Sequence, residues 1–324
     1  NMGTVVVTCE LPDGSDTALR DAGHVVTGLG LRPGQPDHAQ VLRTAVPGAD
    51  ALVSVLWNTI DRDLLAAAGP QLKVVANVAV GYDNIDLAAA ADHDVVVCNT
   101  PGVLDEATAD TAMLLILAAA RRASAAELEL RSGRWAGWEL TGFLGQDLNG
   151  RTLGLVGFGR IGRSVGRRAR AFGMTVLHHT RRPSGEPGWV SDLDTLLAES
   201  DVVSLHLPLT PETRQLIDGR RLALMKPHAT LVNTARGPIV DEEALASALE
   251  RGALFAAGLD VFATEPDVNE RLLAAPNATL LPHIGSATIG ARKAMAEMAC
   301  RGVVDVLAGR MPANVVTRPG PVPS

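Results

Sequence analysis

Short, continuously apolar runs alternate along the chain with longer stretches whose apolar residues recur every three to four positions. The first kind predicts strands buried on both faces, because a half-exposed strand would alternate apolar and polar residues. Such runs fall at 4–8, 51–55, 73–76 and 95–98, then at 152–156, 175–178, 201–206, 230–233, 255–258 and 279–281. The second kind predicts helices. Asp192 precedes one over 193–198, and Asp241, Glu242 and Glu243 open another over 244–250, with Gly252 just past its end. A long apolar helix is expected over about 106–131 and a final one over about 287–308. Strand–helix alternation of this kind predicts an α/β fold of doubly wound parallel sheets. The series occurs twice, which predicts two Rossmann-like units, 1–99 plus 288–324 and 100–287. The proline-rich tail from Arg310 is expected to be an extended strap or partly disordered.

Composition narrows the function. Of 324 residues, 47% are hydrophobic and 20% charged, which excludes global disorder. Asp plus Glu outnumber Lys plus Arg by 36 to 29, a net charge of −7, so no nucleic-acid partner is expected. The longest strongly apolar run, 112–120, is far short of the ~20 residues that span a bilayer, and no membrane partner is expected. No charged n-region followed by an apolar segment opens the chain, so no secretory signal is expected. Cys9, Cys98 and Cys300 have no metal-like spacing. They read as small buried hydrophobes in a reducing, cytoplasmic compartment, with no metal site. Aromatics make up 3%, so the core must be built from Leu, Val and Ala.

The strongest local motif is Gly157-Phe158-Gly159-Arg160-Ile161-Gly162. It follows an apolar strand and opens a helix running to about Ala171. Gly157 allows the tight turn, Gly159 lets backbone approach a pyrophosphate, and Gly162 lets helix pack on strand. An NAD site would place Asp or Glu at the end of the next strand. Here that strand runs into Thr180, Arg181 and Arg182, with no carboxylate from Gly157 through Gly185. Two guanidiniums attract a 2′-phosphate that a carboxylate would repel, so NADP is the preferred cofactor and NAD a possible one. Arg163, Arg167, Arg168 and Arg170 lie on the helix itself and are expected to form a solvated face.

Three predicted strand ends carry chemistry: Arg236 after 230–233, Glu265 after 255–258, and His283 after 279–281. Open α/β sheets place ligands at strand carboxyl ends, so the three are expected to converge.

These residues, with Val75-Ala76-Asn77-Val78-Ala79-Val80-Gly81, Asn99-Thr100-Pro101-Gly102, Ala107-Thr108-Ala109-Asp110 and Gly258-Leu259-Asp260, resemble the D-isomer-specific 2-hydroxyacid dehydrogenases. Within that family the likeness is greatest to glyoxylate/hydroxypyruvate reductases, and it covers about 51–316. The resemblance implies a catalytic trio of Arg236, Glu265 and His283. His283 would give a proton to the keto oxygen, Glu265 would favour its charged form, and Arg236 would grip the carboxylate. It implies that Val80 and Gly81 offer backbone N–H groups to the substrate, with Val80 and Thr108 beside the cofactor. It also places Leu207, Pro208 and Thr213 along the adenosine. Thr234, Ala235, Asp260 and Gly285 complete the cofactor site. The alternative for Asp260 is a turn-capping carboxylate. The implied fold has a substrate unit and a cofactor unit with a cleft between them. It is usually a homodimer, in which Trp138 reaches the partner's substrate site or simply packs at the interface. Leu56 and Trp57 are candidate pocket residues. The implied reaction is NADPH-dependent reduction of a small 2-oxo acid such as glyoxylate or hydroxypyruvate. The alternatives are a dehydrogenase for another D-2-hydroxy acid, and a non-enzymatic dinucleotide sensor of the same fold.

Overall fold

The computed structural model describes residues 2–317. In chain order the strands are β1 (Thr4–Val7), β2 (Val25–Gly28), β3 (Ala51–Ser54), β4 (Val74–Asn77), β5 (Val96–Cys98) and β6 (Thr152–Val156). They continue with β7 (Thr175–His179), β8 (Val202–Leu205), β9 (Thr230–Asn233), β10 (Ala256–Leu259), β11 (Ala278–Leu280) and β12 (Val315–Thr317). They form two six-stranded sheets, and the chain divides into two compact units. One is built from the chain up to Leu104 and from Ala287 onward, the other from Asp105–Ser286.

The first sheet has the order β12-β5-β4-β3-β1-β2. Its strands are parallel except β12, which pairs antiparallel with β5. The second sheet, β11-β10-β9-β8-β6-β7, is wholly parallel. In each, the first strand has neighbours on both sides that come after it in sequence, which is a topological switch point. The inner strands β3, β4, β8, β9 and β10 are buried along their whole length, as their unbroken apolar runs require. The largest fully buried side chains are all Leu or Ile, as the scarcity of aromatics demands.

Several helices begin at an aspartate. The Asp61, Asp86, Asp192, Asp218 and Asp241 carboxylates each accept the N–H three residues on, at 2.8–3.0 Å. This satisfies one of the donors a helix start leaves unpaired. Gly252 follows the Glu242–Glu250 helix at φ +66.

The structure departs from the sequence expectations at five places. The helix expected over 106–131 is two helices, Asp105–Ala120 and Ala123–Arg131, because Arg122 takes φ +54 and breaks the ladder. Strand β2 was not expected: it lies at a sheet edge, half or more of it exposed, and lacks the apolar run of a buried strand. Strand β12 makes the first sheet mixed rather than purely parallel, and turns the start of the proline-rich tail into an edge strand; residues 318–324 lie outside the described residues. The compact division falls at Leu104/Asp105 and Ser286/Ala287, because Thr100 N–H bonds the Ala79 carbonyl of the first unit at 2.9 Å. Cys98 and Cys300 are buried, but Cys9 at the end of β1 is half-buried.

Candidate functional site

The nucleotide loop stands at the switch point of the second sheet. Gly157 follows β6 with φ +94, a conformation only glycine adopts freely. A side chain there would also collide with the His206 carbonyl just past β8. Gly159 caps the helix Arg160–Ala171, and the first intrahelical bond runs from Arg163 N–H to the Gly159 carbonyl at 2.9 Å. The N–H groups of the first helical turn are therefore left facing outward. A Cβ built on Gly159 meets nothing within 4 Å, so the space before that helix end is open. At Gly162 a Cβ would strike the Gly157 carbonyl. An open helix N-terminus with this backbone fits a dinucleotide pyrophosphate.

Phe158 of this loop stacks on His178 of β7, with ring centroids 3.8 Å apart. The Arg163 guanidinium lies 4.9 Å from the Phe158 centroid and pairs with Glu186. Burial, and then the charges of Arg163 and Arg170, push the His178 pKa down. Its Nε2 is 2.6 Å from Ser184 Oγ. Arg163, Arg167 and Arg170 are exposed, as a solvated face requires, and ion pairs engage Arg163, Arg167 and Arg168 as well. Arg167 and Arg168 reach Glu106, and Arg168 also reaches Asp110, at 2.7–2.8 Å. The cause is the packing of this helix against Asp105–Ala120, whose first turns carry both acids. Hydrogen bonds from Ser164, Arg168 and Arg167 hold the Glu106 carboxyl at about 2.

Beyond β7, Thr180 Oγ1 donates to the Arg182 carbonyl at 2.7 Å, and both Arg181 and Arg182 are exposed. The nearest carboxylate along the loop, Glu186, is engaged with Arg163. After β8, Leu207, Pro208 and Thr213 belong to one turn, in which Thr213 Oγ1 donates to the Pro208 carbonyl at 2.7 Å.

Arg236, Glu265 and His283 come after three neighbouring strands, β9, β10 and β11. The Asn233 side chain shapes the first of these turns: it donates to the Arg236 carbonyl at 2.9 Å and accepts from Ala235 N–H at 3.0 Å. Arg236 Nη1 donates to the Ala235 carbonyl at 2.8 Å. Any side chain at Gly237 would overlap the Phe262 carbonyl and Ala263 N, so this glycine lets the Arg236 turn lie against the Glu265 loop. Glu265 Oε1 accepts Phe262 N–H at 2.9 Å, while Oε2 lies 2.7 Å from His283 Nδ1. Burial opposes the Glu265 charge. The His283 bond and charge, the Phe262 N–H and the Arg236 charge outweigh it, and its pKa is lowered. With Nδ1 against a carboxylate, His283 presents Nε2 outward.

Asp260 is fully buried and accepts Ile284 N–H and Gly285 N–H, each at 2.7 Å. It therefore caps the turn carrying His283, and burial raises its pKa. Thr108 is buried on Asp105–Ala120, and a Cβ at Gly285 would lie 3.6 Å from its methyl. Thr234 Oγ1 is buried with no hydrogen-bond partner among the described residues.

In the first unit, Val80 and Gly81 are half-buried just past β4, at that sheet's carboxyl edge. Asn99 Nδ2 donates to the Val80 carbonyl at 2.8 Å and Asn77 Nδ2 to the Gly81 carbonyl at 3.0 Å. With both carbonyls tied back, the segment has a fixed course. A cavity of about 750 Å³ at the same edge is lined by Leu56, Trp57, Val55, Val78, Leu31 and Arg292 among others. Trp138 is 80% exposed. Sequence reasoning missed Glu242, which it read only as part of a helix opening. Glu242 Oε1 accepts Ala263 N–H at 2.6 Å, and nothing local in the sequence pairs those two positions.

Residues 113–285 match the family model described as "D-isomer specific 2-hydroxyacid dehydrogenase, NAD binding domain". A glyoxylate reductase of Thermococcus onnurineus is 46% identical over 326 residues, covering 97% of this chain and 96% of that protein. A crystal structure of a Thermus thermophilus protein is 47% identical with a TM-score of 0.91, over 97% of this chain and 100% of that one. An NADPH-dependent glyoxylate/hydroxypyruvate reductase of Sinorhizobium meliloti, solved with NADP and malonate, is 31% identical with a TM-score of 0.85, over 99% and 100%.

Proposed function

Because this chain belongs to the D-isomer specific 2-hydroxyacid dehydrogenases and is an NAD(P)-dependent oxidoreductase, we propose that it reduces glyoxylate and hydroxypyruvate to glycolate and D-glycerate, with NADPH as the preferred donor and His283 as the proton donor. The observation that carries this reading is the 2.7 Å contact between His283 Nδ1 and Glu265 Oε2. The named activities of the Thermococcus and Sinorhizobium relatives support the substrate class.

When bound, NADPH supplies the hydride. The chain's own residues do the rest. His283, charged against Glu265, gives its Nε2 proton to the keto oxygen as negative charge develops there. Arg236 grips the substrate carboxylate through its fork of donors. Asp260 holds the His283 turn, and its remaining lone pairs can accept from the nicotinamide amide. The Thr234 hydroxyl, otherwise unpartnered among the described residues, is available to the cofactor, with Thr108, Ala235 and Gly285 beside it. The Gly157–Gly162 loop takes the pyrophosphate and the Leu207–Thr213 turn borders the adenosine.

The NADP preference is supported by exposed Arg181 and Arg182, with the first loop carboxylate paired elsewhere. A homodimer is supported by the exposed apolar side chains on Ala123–Arg131 and the loop after it. A cytoplasmic location is supported by free Cys9, Cys98 and Cys300. The test is the rate of NADPH and NADH oxidation with glyoxylate, hydroxypyruvate and bulkier keto acids. Best turnover with a bulkier acid would assign another D-2-hydroxy acid. No turnover with any acid and either cofactor would leave the chain as a dinucleotide sensor.

A further inference from the structure

His178 holds the arginine-bearing loop after β7 at both its return and its middle. His178 N–H donates to the Gly188 carbonyl and Val190 N–H donates to the His178 carbonyl, each at 2.8 Å, so the loop 180–190 comes back alongside the strand it left. Gly188, at φ +89, permits that return, because a Cβ there would strike the Val176 carbonyl. The His178 ring takes the middle of the loop, with Nε2 2.6 Å from Ser184 Oγ. Ser184 Oγ also accepts Glu186 N–H at 3.1 Å, and Glu186 pairs with Arg163. Arg163 lies over Phe158, whose ring stacks on that of His178 at an interplanar angle of 17°. These contacts close a circuit that joins the Gly157–Gly162 loop to the loop carrying Arg181 and Arg182. His178 is fully buried, and its Nδ1 has no partner among the described residues. A buried N–H is seldom left without an acceptor, so the neutral ring carries its proton on Nε2 and donates to Ser184. Burial above all keeps the ring in that neutral form.

From this circuit we infer that His178 and Ser184 are positioning residues for NADP selection: their bond fixes the course of the loop that presents Arg181 and Arg182 to the 2′-phosphate. This rests on the proposed NADP preference, and adds that the two arginines select because their loop is ordered before the cofactor arrives. An unrestrained loop would have to be ordered by the ligand itself, and that entropy would come off the affinity. Here the backbone is held on both sides of the arginine pair. Before it, Thr180 Oγ1 bonds the Arg182 carbonyl and the Thr180 carbonyl accepts Trp189 Nε1–H at 3.4 Å. After it stands Ser184, on the His178 ring. The Glu212 pKa is lowered by the Thr210 hydroxyl and its own backbone N–H, and also by the charge of Arg181, so that guanidinium is within electrostatic reach of the turn at the adenosine. NADH has no 2′-phosphate for the arginines to hold, so its affinity does not depend on how well their loop is ordered.

The variants are Ser184→Ala, which removes the ring's partner at a half-buried loop position, and Ser184→Thr, which keeps the oxygen. His178→Phe keeps a ring to stack on Phe158 and removes Nε2. Dissociation constants for NADPH and NADH are read by fluorescence titration, and amide exchange over 180–190 is followed by mass spectrometry in the cofactor-free chain. Ser184→Ala and His178→Phe should each weaken NADPH by about 3- to 10-fold, as the loss of one hydrogen bond gives, while NADH stays within about two-fold. Exchange over 180–190 should quicken in both. The double variant should lose little more than either alone, because both remove the bond between His178 and Ser184. Ser184→Thr should keep the NADPH affinity. An unchanged NADPH affinity in Ser184→Ala, or NADPH and NADH weakened equally, overturns the inference. Equal affinities of the unmodified chain for the two cofactors overturn the NADP reading instead, and the exchange of 180–190 in Ser184→Ala still decides whether the pair holds the loop.

Discussion

His283 sits at φ +54, a region that costs a non-glycine residue roughly 1–3 kcal/mol. The turn persists because Asp260 accepts the next two N–H groups along the chain and Glu265 holds the ring. If the ring is the proton donor, His283→Ala lowers kcat by ~10²–10⁴-fold. NADPH affinity should stay within a few-fold, as read by fluorescence titration. Cofactor choice is also a matter of single residues. Arg181 and Arg182 are exposed, so the 2′-phosphate they attract is partly screened by salt. A preference for NADPH of about 10- to 100-fold in kcat/KM is expected, shrinking as salt rises. Thr180→Asp with Arg182→Ala should move it toward NADH, and equal kcat/KM for both cofactors in the unmodified chain at low salt would leave the arginines without that role.

Loops meet at places where an added atom has nowhere to go. Gly237→Ala puts a Cβ into the Phe262 carbonyl, so the Arg236 turn or the Glu265 loop must shift. A loss of about 2 kcal/mol or more in urea unfolding is expected, with most of the activity. Gly290→Ala is the control, since its Cβ would meet nothing within 4 Å and alanine favours helix. Asp201 ties the start of β6 to the turn that leads into β9: it accepts Thr152 N–H at 2.8 Å, Lys226 at 3.0 Å and His228 at 2.8 Å. Burial works against its charge, but these bonds win and hold the carboxyl at about 2. Its folded pKa is depressed, so the stabilisation is present above the unfolded value near 4 and is lost as pH falls toward 2. Asp201→Asn should therefore cost about 2 kcal/mol at neutral pH, and the difference from the unmodified chain should close between about pH 4 and 2.

The assembly state is the property of the whole chain most open to test. The helix Ala123–Arg131 buries none of its residues. Leu128, Leu130, Trp135, Trp138, Leu140 and Leu144 on it and on the loop after it are more than half exposed. Apolar exposure of that extent marks an interface more often than a free surface. Sedimentation should show a dimer, and Leu128→Glu with Trp138→Glu should give a monomer of unchanged circular dichroism. A monomer in the unmodified chain would show that these side chains do not form a self-interface.

Strands with unbroken apolar runs and the helices opened by Asp192 and Asp241 were legible in the sequence, because burial on both faces and capping are local demands. So were the Gly157 motif and the three strand-end residues, since strand carboxyl edges are located once the strands are known. Edge strands β2 and β12 were not, because an edge strand need not carry a buried pattern. The break at Arg122 was not, because no proline or glycine announces it. The ion pairs of Arg163, Arg167 and Arg168 depend on Glu186, Glu106 and Asp110, remote in sequence and brought near by packing. Glu242 belongs with these. Which amide its carboxylate meets was decided only when the helix start was laid against a loop twenty-one residues further along the chain.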